Sequence, residues 1–379
     1  MRLEFTQEQL MIRDMVRDFV QTELKPVISN LESKEEFPAV ITSKMGELGL
    51  LGMTAPEKYG GSGLDSISYA LAIEEIAKVS ASVAITVSVT NSVCVYPIYR
   101  FGTEEQKERY LRPLASGKMI GGFALTEPGA GSDAANVRCR AEKQGEQYIL
   151  NGTKAWVTNA IVGEIFVVLA SMDPSRREAI SAFIVERNFK GFSFGKVEDK
   201  MGLRCSKTAD IVLEDCKVPA ENLLGKEGDG LRIALHSLDG SRISVGAQAV
   251  GIAQAALDEA NFYARQREAF GRPIAELQAI QFMLADMATR IEAARLLVMH
   301  ASMLREANVQ SFTKEASMAK LFASETACHV ASMALQIHGA YGYSKEYSVE
   351  RYFRDARVTT IYEGTSEIQR LIIARRLLA

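Results

Sequence analysis

One carboxylate, Glu363, stands between an aromatic residue and a glycine in Ile361-Tyr362-Glu363-Gly364-Thr365-Ser366-Glu367-Ile368-Gln369. An apolar Ile-Tyr neighbourhood desolvates a carboxylate in part, which raises its proton affinity and makes it a useful general base. Gly364 leaves room for another group to approach closely. Ser366 and Gln369 have capping-box spacing, and the apolar run Ile368, Leu371, Ile372 and Ile373 follows, so a helix is predicted to start here with Glu363 in the preceding turn. On these local features alone, a solvated glutamate in a helix-entry turn is the simpler reading.

A second candidate is Gly129-Ala130-Gly131-Ser132-Asp133-Ala134, which matches the degenerate G-x-G-x-x-A dinucleotide fingerprint. That fingerprint works only between a strand and a helix of a βαβ unit. Here Pro128 precedes it and a β-hairpin region follows, which excludes the Rossmann reading. The exposed backbone N–H groups of such a loop, with Thr126, Gly131 and Ser132, still suit an anion or the edge of a ring. Tyr59-Gly60-Gly61-Ser62-Gly63 reads as a turn. The four histidines and five cysteines show no metal-ligand or Cys-x-x-Cys spacing, and no Gly-x-Ser-x-Gly is present, so metal, disulfide and serine-hydrolase chemistry have no local sign.

The elements that position these residues fall into three regions of the 379-residue chain. Residues 1–120 read as helical: Thr6 and Gln9 form a capping box, and Leu10, Met15, Phe19 and Val20 recur at near-helical spacing. Residues 121–227 read as a β domain, with Tyr148-Ile149-Leu150, Asn151-Gly152 and Trp156-Val157-Thr158 predicting a hairpin turning at Asn151-Gly152. Runs at 165–170, 180–185 and 209–213 add strands without intervening helices, predicting an antiparallel barrel or sandwich. Residues 228–379 return to long helical patterns at 243–266, 277–308 and 313–338, predicting a C-terminal four-helix bundle. The expected class is therefore α+β multidomain. A net charge of -3 with mixed signs argues against nucleic acid or a membrane surface as main partner. Absence of an evident apolar run of about 20 residues, and of a signal-like start, makes a cytoplasmic location without a membrane span the expectation.

Five segments, in order, carry a resemblance to a known family: Phe123-Ala124-Leu125-Thr126-Glu127-Pro128-Gly129-Ala130-Gly131-Ser132-Asp133, Trp156-Val157-Thr158-Asn159, Arg267-Glu268-Ala269-Phe270-Gly271, Gln336-Ile337-His338-Gly339-Ala340 and the Glu363 stretch. Over essentially its whole length the chain resembles the acyl-CoA dehydrogenases, and within them the short-chain, butyryl-CoA branch.

The resemblance implies FAD as cofactor and removal of hydrogen from the α and β carbons of an acyl-CoA, giving a trans-2-enoyl-CoA. It implies Glu363 as the α-proton base and the flavin N5 as hydride acceptor, with the thioester carbonyl held by the Glu363 backbone N–H and a flavin ribityl hydroxyl. Phe123, Leu125, Thr126, Gly131, Ser132, Trp156 and Thr158 are implied around the flavin, and Ser132 also at the CoA arm. Arg267, Phe270, Gln278, Gln336 and Gly339 are implied to reach the FAD diphosphate and adenosine of a neighbouring subunit in a homotetramer. Thr365 and Glu367 are implied at the adenine end of FAD. Asp239, Arg242 and Gly364 are implied at the substrate; Asp239 and Arg242 read equally as a structural ion pair.

An electron-transferring flavoprotein is the implied acceptor. An acyl-CoA oxidase is the competing enzyme reading, disfavoured by the short stretch after the Glu363 motif, and a non-catalytic acyl-CoA or flavin-binding protein is the competing reading from another class. The short-chain likeness implies butyryl-CoA or a similar small acyl group, with cyclic, branched and aromatic acyl groups as alternatives. Ala84 stands where glutaryl-specific members carry arginine, which disfavours a dicarboxylate. Asn91, in the segment expected beside the acyl pocket, reads either as a substrate contact or as part of a buried hydrogen-bond network.

Overall fold

The computed structural model describes residues 4–176, 179–307, 309 and 311–378. Asn308, the expected end of one helix, and residues 1–3 lie outside them. The first helical region comprises α1 (Gln7–Phe19), α2 (Lys25–Lys34), α3 (Ala39–Glu47), α4 (Ser66–Val79), α5 (Ala81–Val89), α6 (Tyr96–Phe101), α7 (Glu104–Gln106) and α8 (Arg112–Ala115). The Thr6/Gln9 capping box opens α1. Asp65 caps α4 through the Ser68 N–H and also accepts from the Gln9 side chain at 2.7 Å, so one aspartate ties two helix starts together.

Between α5 and α6 the chain runs through a π turn at Thr90–Val95, making one helical span, Ala81–Phe101. By length and composition this span is apolar enough to cross a bilayer, which corrects the expectation that no such run exists. Its apolar window is 94% buried inside the protein, as befits a core helix. Hydroxyls interrupt the run in the sequence, yet Thr86, Thr90 and Ser92 each donate to the carbonyl four residues back, at 3.2, 3.0 and 2.7 Å, so they cost the buried helix little.

The middle of the chain is one eight-stranded sheet of β1 (Gly121–Ala124), β2 (Arg140–Gln144), β3 (Gln147–Thr158), β4 (Ile165–Ser171), β5 (Ile180–Glu186), β6 (Phe192–Val197), β7 (Thr208–Pro219) and β8 (Leu223–Leu224), in the order β6-β7-β3-β2-β4-β5-β8 with β1 beside β4. Pairing is antiparallel except for β1 with β4 and the single contact of β2 with β4, which are parallel. The predicted hairpin at Asn151-Gly152 is corrected. β3 runs straight through these residues, and the hairpin joins β2 to β3 with Gln144 paired to Gln147. Asn151-Gly152 instead forms a bulge against β7. The Asn151 amide exchanges bonds with Asp215 across it, and a side chain at Gly152 would meet the Cys139 backbone at 2.8 Å. An Asn-Gly pair thus served strand bending, the other use of the same local chemistry.

The C-terminal region holds α9 (Gly230–Gln266), a short hairpin of β9 (Glu268–Ala269) and β10 (Arg272–Pro273), then α10 (Gln278–Glu306), α11 (Thr313–His338), α12 (Val349–Val358) and α13 (Ser366–Leu378). α9 packs against α4, α10 and α11, while α12 and α13 close over α11. One apolar core runs through the helices and a second fills the sheet. Phe123 packs against both, so the segment after β1 lies where the two cores meet.

Candidate active site

The Glu363 turn joins α12 to α13 and is strained by design of its sequence. Glu363 has φ 54 and Gly364 φ 90, two successive residues in the left-handed region. That conformation costs a non-glycine residue about 1–2 kcal/mol, so neighbours must hold it. Gln369, fully buried, donates to the carbonyls of Glu363 and Gly364 at 3.1 and 2.9 Å. Lys320 of α11, also fully buried, donates to the Gly364 carbonyl at 2.7 Å. A side chain at Gly364 would stand 2.7 Å from the Gln369 amide nitrogen, so glycine is required here. The predicted Ser366 cap is corrected to Thr365, whose hydroxyl accepts from the Ile368 N–H at 3.3 Å. The Ser366 hydroxyl is buried and has no partner among the described residues. Gln369 is spared from a capping box because its amide is used to fix the glutamate turn.

The Glu363 carboxyl accepts from the Ser241 hydroxyl of α9. Burial raises its proton affinity above the ordinary carboxylate range, while Ser241, Arg242 and Lys320 pull in the other direction without cancelling it. Ile361 is 49% exposed, so the desolvation comes from Tyr362 and the walls of α9 and α11 rather than from Ile361. The Tyr362 hydroxyl donates to Gln248. Arg242, 4% exposed, forms a close ion pair with Asp239, whose second oxygen accepts from Thr313 at 2.7 Å. Within one chain these two residues are therefore partners of each other.

The other candidate residues sit on loops of the β domain. Trp156 sits in a bulge of β3 at φ 57 and is 58% exposed, which removes the reading of a plain β-core aromatic. The Thr126 carbonyl accepts from the Ala155 N–H at 2.9 Å, bringing the segment after β1 against the Trp156 bulge. Beneath them lies a pair invisible to sequence reasoning: buried Lys154 binds Glu127 at 2.6 Å and donates to the Leu125 carbonyl, while Glu127 accepts from the N–H groups of Arg138 and Cys139. Gly131 and Ser132 lie on an exposed loop, and space above Gly129 and Gly131 is open.

The Glu363 turn and these loops are linked through α5 and α9. Ser241 holds Glu363, the Ser244 hydroxyl donates to the Ser241 carbonyl at 2.9 Å, and Ser244 meets Ser88 of α5 at 2.8 Å. On the same helical span, the Thr86 carbonyl accepts from Asn159, the residue after Thr158, at 3.2 Å. Asn91 is fully buried and satisfied: its amide donates to the Leu50 and Val87 carbonyls and accepts from the Met53 N–H. It belongs to a buried network.

Arg267, Phe270, Gln278, Gln336 and Gly339 lie apart from this site, exposed around the end of α9, the β9–β10 hairpin and the end of α11. Phe270 is 91% exposed at φ 54, and the Arg267 guanidinium lies 5.5 Å from the Tyr341 ring. No hydrogen bond or ion pair among the described residues joins them to the Glu363 turn. Glu367 is exposed and Thr365 half-buried at the start of α13.

Three family profiles cover the chain: the acyl-CoA dehydrogenase N-terminal domain over residues 6–118, the middle domain over 122–216 and the C-terminal domain over 228–378. The chain belongs to the acyl-CoA dehydrogenase family. An acyl-CoA dehydrogenase of Bacillus subtilis is 52% identical over 377 residues, covering 99% of both chains. The butyryl-CoA dehydrogenase of Megasphaera elsdenii superposes with a TM-score of 0.98 at 46% identity, covering 100% of both. A chain from work on the electron transferring flavoprotein of Acidaminococcus fermentans, directed at flavin-based electron bifurcation, also gives a TM-score of 0.98, at 49% identity and full coverage of both.

Acyl-CoA dehydrogenases use FAD, and the residues present fit it. An exposed indole in a strained bulge suits a flat ring, and an open glycine loop leaves backbone N–H groups free for its polar substituents. The Glu363 N–H makes no hydrogen bond among the described residues.

Proposed function

We propose that this protein oxidises a short-chain acyl-CoA at its α and β carbons, with Glu363 as the base for the α proton and an electron-transferring flavoprotein as acceptor. The observation that carries the reading is the Glu363 turn itself: a desolvated carboxylate held in left-handed backbone by Gln369 and Lys320, and tied through α9 and α5 to the strand end beside Thr158. Leu125, Thr126, Trp156 and Thr158 would hold FAD, which would supply the acceptor for the hydrogen leaving the β carbon. The chain's own residues do the rest. The thioester carbonyl accepts from the Glu363 N–H, which acidifies the α C–H and directs it at the Glu363 carboxylate. Apolar walls exclude water and keep that carboxylate basic. The Arg242–Asp239 pair lines the approach of the CoA arm, and Ser132 stands at its outer end.

Two further parts of the reading concern assembly and location. The exposed set Arg267, Phe270, Gln278, Gln336 and Gly339 is arranged to complete the FAD site of a second copy, supporting a homotetramer. Burial of the apolar Ala81–Phe101 span supports a core helix rather than a membrane span, and a cytoplasmic location stays part of the proposal. A straight-chain substrate is favoured over branched, cyclic, aromatic and dicarboxylic ones by the likeness to the butyryl-CoA dehydrogenase of Megasphaera elsdenii. The test is an anaerobic panel in which purified yellow protein is mixed with each acyl-CoA class and bleaching is followed. Fastest bleaching by butyryl-CoA is expected; a protein that binds no FAD, or bleaches only with another class, overturns the corresponding part.

A further inference from the structure

Three guanidiniums gather on aromatic rings at the end of α9 that carries the Asp239–Arg242 pair. The His236 ring of α9 stacks on Tyr96 of α6 with centroids 5.8 Å apart, and its Nδ1 meets the Tyr96 hydroxyl at 3.1 Å. Phe101, at the end of α6, meets the same imidazole edge-on at 5.7 Å. Arg232 and Arg100 lie 5.2 and 5.7 Å from the Phe101 ring, and Arg305, near the end of α10, lies 5.0 Å from the Tyr96 ring. Ring faces hold such cations without neutralising them. Arg305 is also seated against α9: a side chain at Gly240, between Asp239 and Ser241, would stand 3.0 Å from its guanidinium. The carboxylates at this end of the two helices are engaged elsewhere. Asp229 takes Arg232 at 3.2 Å, Asp239 takes Arg242, and Glu306 accepts from the Ser66 N–H at 2.9 Å. Arg305, half-buried, and Arg100, exposed, make neither an ion pair nor a hydrogen bond among the described residues.

We propose that Arg305, seconded by Arg100, binds a phosphate of the CoA arm and so makes the site select CoA over a phosphate-free carrier of the same acyl group. The inference rests on the acyl-CoA reading above, in which Asp239 and Arg242 line the approach of that arm. A guanidinium held in place yet free of a carboxylate keeps its planar fork of N–H donors for paired phosphate oxygens. The chain carries a net charge of -3, so a polyanionic substrate has to be met by a local cationic site. Arg305 binds, and takes no part in removing hydrogen.

The test follows anaerobic flavin bleaching against thioester concentration in FAD-loaded wild type, Arg305→Met, Arg305→Gln and Arg305→Lys. The thioesters are butyryl-CoA, its 3′-dephospho form and S-butyryl-pantetheine, which keeps the acyl group and lacks every phosphate. Both neutral variants are expected to raise the half-saturating concentration of butyryl-CoA by about tenfold or more at an unchanged limiting rate, with S-butyryl-pantetheine unmoved and Arg305→Lys in between. A loss shared by the dephospho form assigns the diphosphate and a loss confined to butyryl-CoA assigns the 3′-phosphate; either supports the proposal. An unmoved half-saturation for butyryl-CoA, or an equal shift for butyryl-CoA and S-butyryl-pantetheine, overturns it. If neither neutral variant folds, Arg305 is structural and the proposal is likewise overturned. Failure of the dehydrogenase reading is distinguishable, because wild type would then be bleached by neither butyryl-CoA nor S-butyryl-pantetheine, and this inference would fall with it.

Discussion

Replacing Gly364 by alanine acts on the turn without touching the carboxylate. The new Cβ stands 2.7 Å from the Gln369 amide nitrogen and 3.3 Å from an Ile368 methyl, at a φ of 90. The Gln369 end is the movable partner, and moving it forfeits its bonds to the Glu363 and Gly364 carbonyls. Gln369 is fully buried, so water does not replace those bonds. Backbone strain of about 1–2 kcal/mol and two hydrogen bonds of about 0.5–1.5 kcal/mol each give a loss of about 2–5 kcal/mol. For a chain of this size that lowers the melting temperature by about 3–6 °C. Displacing Glu363 by even a fraction of an ångström from the α carbon costs further rate, with misplacements near 1 Å costing about 10²-fold. Differential scanning calorimetry and the anaerobic bleaching rate with butyryl-CoA read the two effects. A variant with wild-type melting and wild-type bleaching would refute the account of how the turn is held.

Three other outcomes follow from the same geometry. Ser241→Ala removes the donor to the Glu363 carboxyl, one of the groups that offsets its raised pKa, so the acid limb of the kcat/KM profile moves to higher pH; an unmoved or lowered limb contradicts the contact. Lys154→Met leaves Glu127 buried without its ion pair, with an expected loss of about 3–5 kcal/mol and weaker FAD retention on gel filtration, and adding Glu127→Gln, which removes the orphaned charge and keeps one oxygen for the Arg138 and Cys139 N–H groups, restores part of the stability. Asp355, buried near Glu32 and Arg351, has its pKa raised to about 7 by burial and then by Glu32. The folded protein thus binds a proton that the unfolded chain releases near pH 4, so this group's contribution falls as pH rises from about 4 to about 7 and is flat above. Asp355→Asn, which keeps an oxygen for the Leu203 N–H, should flatten the melting temperature across that window, as calorimetry at stepped pH will show.

What the sequence made legible was pattern carried by contiguous residues. Glu363, the Thr126 loop and the Trp156 segment are short motifs whose neighbours define them, and the Thr6/Gln9 cap is a purely local bond pattern. Asn151-Gly152 misled because the same pair serves a hairpin turn or a bulge, and only its pairing with Asp215 across β7 decides which. Gln369 matched a capping box by spacing, while the folded turn draws its amide to two carbonyls instead. Ser241, Lys320 and the Lys154–Glu127 pair gave no local signal. Ser241 and Lys320 stand 122 and 44 residues from the groups they hold, and Lys154 stands 27 from Glu127. A buried lysine in a helical pattern looks like any solvated one until the packing of α11 against α13 is known.

The central claim is that Glu363 takes the α proton. The most direct measurement mixes FAD-loaded wild type and Glu363→Gln anaerobically with butyryl-CoA and follows both bleaching and exchange of the α hydrogen with deuterated water. The account predicts that the variant still binds FAD and acyl-CoA but loses both signals by at least about 10²–10⁴-fold. Bleaching and exchange at near wild-type rates in Glu363→Gln would place the base elsewhere.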